Sequence, residues 1–96
     1  MINATTTSGF EFTVDPACLD DMRLVDTMAV ILSPGTSRAD VLAANSKAAE
    51  ILLGAKQKEA LYEHIGKQHE GRVPVAVFAK ELQEIMAAPG KATEKN

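Results

Sequence analysis

The punctuation of residues 51–85 constrains this chain most. Gly54 and Gly71 each sit just past a helical apolar pattern, where the left-handed residue that closes a helix costs glycine least. Pro74 sits just inside the next pattern, at a position where its missing N–H is not needed. The order reads helix, Gly stop, helix, Gly stop, Pro start, helix. Leu61 and Ile65 are the inward pair of the short helix, expected at about residues 55–68. Val75, Phe78, Leu82 and Ile85 are the apolar stripe of the last one, with Met86 extending it and Lys80 and Glu84 outside. Pro89-Gly90 is expected to end that helix.

Upstream, Phe10, Phe12 and Val14 alternate with Glu11 and Thr13. A period of two over β-branched and aromatic residues predicts a half-buried strand. A lone strand cannot satisfy its own backbone. Two readings stand: an arm packed onto the helices, or an edge that pairs between subunits. Asp15-Pro16 is a cap followed by a first-position proline, which predicts a first helix running to about Leu32. Ser33-Pro34-Gly35 then breaks it.

That helix carries two stripes, one of Cys18, Met22, Val25, Ala29 and Leu32, the other of Leu24, Met28 and Ile31. Together they cover close to half of the circumference, wider than one contact with a small core needs. Either both face the core, or the Leu24, Met28, Ile31 stripe faces a partner chain. Ser37 with Asp40 opens the second helix as a capping-box variant. Its apolar positions include Val41, Leu42 and Ile51, and its alanines allow close helix approach.

The expected fold is mainly α: a small bundle of about four helices preceded by one short N-terminal β-strand. Residues 1–8 are expected to be a flexible N-terminus, 9–88 a single helical domain, and 89–96 a disordered tail.

Ninety-six residues suit one domain. The formal charge is −3 with Lys and Arg scattered, so no basic stripe exists to neutralise a row of phosphates and nucleic acid is a poor partner. Cys18 is the only cysteine, which excludes an intramolecular disulfide and fits a reducing compartment. The N-terminus lacks the basic start and apolar centre of a signal peptide, and no apolar run nears the roughly 20 residues that span a bilayer. Only 4% of the residues are aromatic, and much of the 46% apolar content is alanine. The core is therefore expected to be thin, with partner binding supplying part of the stability.

Chemistry finds little support. His64 and His69 are five apart and do not share a helix face, and no further Cys or His completes a zinc set. Both read as solvated helix residues. Cys18 lies on an apolar stripe and reads as a small core residue. Asp20, Asp21 and Asp26 lack the glycine of a calcium loop. There is no phosphate-binding glycine loop. The expectation is a protein with no enzyme activity, no metal and no cofactor. No serine sits in the Asp-Ser-Leu setting of a carrier protein, and Lys80 is balanced by Glu81 and Glu84 where a DNA-reading helix would be basic.

The order of motifs resembles the tail assembly chaperones of phages with long non-contractile tails. The likeness runs through Phe10-Glu11-Phe12, a Leu-Asp-Asp-Met helix start at residues 19–22, and Leu-Leu-Gly at 52–54 followed by Gln57 and Leu61. Gly-Arg-Val-Pro-Val at 71–75 and Glu-Leu-x-Glu-Ile at 81–85 complete it. It covers about residues 10–87. The resemblance implies a protein of the host bacterial cytoplasm that binds the tape-measure protein, keeps its apolar helices soluble, helps recruit the major tail protein, and is absent from the mature virion. Several copies along one filament-like client would favour self-association, with the lone strand supplying the contact. On this reading Leu24, Met28 and Ile31, with Phe10 and Phe12, are the expected contact residues. The runner-up class is a small phage structural protein, such as a head–tail connector, or a bacterial helical adaptor.

Overall fold

The computed structural model describes the backbone of residues 1–94 and the side chains of residues 1–89. Its elements are strands β1 (Ile2–Thr5) and β2 (Glu11–Val14), a 3-10 turn (Pro16–Asp20), and helices α1 (Met22–Leu32), α2 (Arg38–Gln68) and α3 (Val75–Glu94). Among the described residues the chain is mainly helical, with three helical elements, the second of them broken into two arms at Gly54, and with two strands in place of one.

The second strand lies in the N-terminal stretch expected to be flexible. β1 pairs antiparallel with β2, Ile2 opposite Val14 and Ala4 opposite Phe12. The Thr6 N–H donates to the Phe10 carbonyl at 2.9 Å, and the Gly9 N–H donates to the Thr6 carbonyl at 2.9 Å. Gly9 has φ +95°, the left-handed slot that ends a three-residue hairpin loop. β2 thus finds its partner within the same chain. Its residues Phe12 and Val14, with Phe10 just before them, face the helices and are buried, and the two phenyl rings stack with centroids 6.0 Å apart.

The first helix starts later than Asp15-Pro16 implies. Asp15 does act as a cap, its carboxylate accepting from the Ala17 N–H at 2.9 Å, but only the 3-10 turn forms there. Asp21 is extended (φ −121°, ψ 119°) and caps again, accepting from the Arg23 N–H at 2.8 Å. α1 therefore begins at Met22. Two capping aspartates six positions apart compete for one helix start, and the second one holds the α-helix.

Ser37 caps α2 as expected, its hydroxyl accepting from the Asp40 N–H at 3.1 Å. Gly54 is non-helical and breaks α2 into two helical arms, at the stop the sequence predicts. Its φ of 80° and ψ of 162° belong to a region that only glycine enters cheaply. Twelve residues of straight helix span about 18 Å, yet Lys58 Nζ donates to Ser46 Oγ at 2.7 Å. The two arms therefore fold back towards each other. The far end closes through the Gly71 N–H, which donates to the Gly66 carbonyl at 2.8 Å. Glu70 (φ +57°) takes the left-handed position just before it. This is the six-to-one bond of a Schellman ending.

Pro74 stands just before α3 and its carbonyl accepts from the Phe78 N–H at 3.0 Å. The helix does not end at Pro89-Gly90: it passes through Pro89 and continues to Glu94. The disordered tail expected from residue 89 is helical over this stretch, and residues 95–96 lie outside the described part. Pro89 is among the most deeply buried side chains.

The core joins the hairpin to all three helices. Leu61, Ile65 and Ile85 are fully buried at its centre, with Leu24, Leu52, Phe78 and Leu82 around them. Each such side chain contributes about 1.5–3 kcal/mol on leaving water. Ala48 and Ala49 are also fully buried, as their small size predicts for a close helix contact.

Candidate interaction surfaces

α1 points the opposite way from the partner-facing expectation. Leu24 is 4% exposed, and Met28 and Ile31 are half-buried, with Met28 packed on the core. Phe10 and Phe12 are 5% exposed. These five expected contact residues lie in or against the interior and form no continuous outer surface. Of the stripe read as core-facing, the first member, Cys18 in the 3-10 turn, is half-buried against the core as expected. Along α1 the stripe is outside: Met22 is 67% exposed, Val25 48% and Leu32 74%, with Ala29 also exposed between them. Periodicity located both stripes. It could not say which one the rest of the chain would cover.

These four residues recur at intervals of three and four, the narrow seam that pairs helices side by side. Only Arg23 and Asp26 carry charge on α1. Arg23 is spent on Asp21, with its guanidinium 2.9 Å from the carboxylate. The hydrogen bonds from the Arg23 side chain and then its backbone N–H hold the Asp21 carboxyl below its ordinary range. The seam is thus apolar and nearly free of charge, beginning at a well-anchored helix end.

A second apolar feature is a groove of about 340 Å³ lined by Leu42, Tyr62, Val73, Val75, Phe78 and Ala79, with Asn45 and Ser46. The rings of Tyr62 and Phe78 pack at 5.5 Å. Lys58 Nζ lies 5.7 Å from the Tyr62 ring centre. The corner at Gly54 brings both arms of α2 to this groove.

The hairpin loop meets a polar cluster that no local pattern announces. Glu81 is 2% exposed. Its Oε1 accepts from Thr6 Oγ1 at 2.8 Å and from Ser8 Oγ at 2.9 Å. Ser8 Oγ also lies 3.0 Å from His64 Nε2. One turn on, Glu84 accepts from the Thr7 N–H at 2.8 Å and from Thr7 Oγ1 at 3.0 Å. The cluster fastens the loop to α3, and His64, expected to be solvated, is half-buried beside Phe10. Among the described residues no group of three His, Cys, Asp or Glu side chains is arranged to hold a metal ion. None of the described helices is long and apolar enough to cross a membrane.

No family model, curated protein or solved structure matches the chain.

Proposed function

We propose that this protein is a non-catalytic assembly factor of the tail-assembly-chaperone kind. In this reading it works in the host bacterial cytoplasm, holds apolar helical segments of a tape-measure protein in solution, helps deliver the major tail protein, and stays out of the finished virion. The observation that supports this is the exposed seam of Met22, Val25, Ala29 and Leu32 on α1. A client helix with apolar residues at the same spacing buries that seam along its length, in the helix-packing mode of recognition. Exposed apolar surface concentrated on one element marks an interaction site more often than chance scatter does.

The test is co-expression with a tape-measure protein that is insoluble alone. The wild-type chain is expected to keep it in the soluble fraction. Val25→Glu combined with Leu32→Glu is expected to abolish this while leaving the far-ultraviolet circular dichroism spectrum unchanged. Unaltered solubilisation by the double variant overturns the assignment of the seam. Recovery of the wild-type chain in purified virions overturns the chaperone reading in favour of a structural component.

A further inference from the structure

The two edges of the hairpin are finished differently. Thr13 turns its N–H and carbonyl away from β1, and the Gln57 side chain meets both. Gln57 Oε1 accepts from the Thr13 N–H at 2.8 Å, and Gln57 Nε2 donates to the Thr13 carbonyl at 2.8 Å. One amide thus stands at Thr13 where a third strand would, and it occupies that part of the β2 edge.

The β1 edge has no such cover. The Thr6 N–H bonds to the Phe10 carbonyl, so in the observed register the inward-pointing pairs are Ile2 with Val14 and Ala4 with Phe12. Asn3 and Thr5 therefore turn their N–H and carbonyl groups outward. Neither residue has a hydrogen bond on that side among the described residues. Burial is unfinished there too. The core-facing residues of β2 are buried, whereas Ile2 and Ala4 on the same face of β1 are only half-buried.

We propose that this edge pairs with β1 of a second copy of the chain, antiparallel, joining two hairpins into one four-stranded sheet. With the two-fold axis at Ala4, Asn3 of each copy lies opposite Thr5 of the other. Both residues present a donor and an acceptor, so each pair exchanges two main-chain hydrogen bonds. The two Ala4 residues face each other as the closely spaced pair, where a methyl group offers no obstruction. The half-buried rows of Ile2 and Ala4 become continuous across the axis. A helical client cannot fill this edge, because a helix satisfies its backbone internally. The association is thus separate from the α1 seam.

Sedimentation equilibrium over a range of concentrations tests it, with Thr5→Pro as the variant. Proline removes an outward N–H and none of the hairpin's own, since the ladder donors of β1 are Ile2 and Ala4. Wild type is expected to show a monomer–dimer equilibrium, and Thr5→Pro to weaken it roughly tenfold or more. A second arm covers misfolding of that variant. In a Cys18→Ser background, Ala4→Cys is expected to cross-link between copies under oxidised glutathione, because facing Cα atoms at about 4.5 Å suit a disulfide. Asn3→Cys, which does not face itself across the axis, is expected to cross-link far more slowly. A wild-type chain that stays monomeric, a dimer untouched by Thr5→Pro in a folded variant, or equal cross-linking at the two positions overturns the proposal.

Discussion

At Glu81 a single carboxylate oxygen takes the protons of Thr6 and Ser8 in a nearly water-free place. Removing that acceptor takes the 2.8 Å carboxylate bond from the buried Thr6 hydroxyl and leaves it only the Ser8 hydroxyl at 3.1 Å. Glu81→Leu is therefore expected to lower stability by about 1–3 kcal/mol in urea denaturation. Adding Thr6→Val is expected to cost less than it does alone, because the bond to Glu81 is already gone and only the Phe10 N–H loses its acceptor. Some single-residue features are legible directly in the sequence. Ser37 caps because a small hydroxyl precedes a helical pattern with an acid three positions on, and Leu61 and Ile65 are inward because no other spacing in that helix is apolar. Glu81 is not legible in this way. It sits among Lys80 and Glu84 as part of an ordinary charged face, and its partners are 75 and 73 positions away.

Among the elements, glycine separates two opposite cases within α2. Gly54 turns the helix with φ +80°, and a methyl group there meets no atom within 4 Å, so the only obstacle is backbone strain. Gly54→Ala is expected to destabilise by about 1–3 kcal/mol. Gly66 lies in helical conformation, and its added Cβ would make ordinary contact at 3.7 Å with the Gly71 backbone. Gly66→Ala is expected to stabilise by about 0.5–1 kcal/mol. Chemical denaturation of the two variants gives opposite shifts in midpoint if the corner is where the structure puts it. Element identity comes from local chemistry, whereas the differences from expectation lie where neighbours decide. β1 is hidden because Ile-Asn-Ala-Thr alternates weakly and its loop lacks the Asn-Gly or Asp-Gly pair that marks tight hairpins. The helical start at Pro16 loses to the second cap at Asp21. Proline deletes one helix hydrogen bond, but Pro89 is buried in a helix that continues to Glu94.

In the whole molecule, α1 is a two-faced beam with its larger aliphatic residues on both sides. Leu24 is covered by the rest of the chain and Leu32 is open to water. Leu24→Ala is expected to cost about 2–5 kcal/mol, a large share of the roughly 5–15 kcal/mol typical of such a domain. Leu32→Ala is expected to stay within about 0.5 kcal/mol of wild type. Urea denaturation of both variants checks which face is inward. This orientation is beyond a pattern argument, since both stripes have helical spacing and only the placement of α2 and the hairpin chooses between them. The spare apolar seam that results is what an adhesive role requires, although it is the opposite seam from the expected one.

The grip of Glu81 and Glu84 on Thr6 and Thr7 also sets an order of events during synthesis. β1 has β2 to pair with as soon as the hairpin is made, but the loop between them is fastened only once α3 exists. Contacts this distant along the polymer form late and close a very long loop. The tip of the hairpin is thus among the last parts to find its seat.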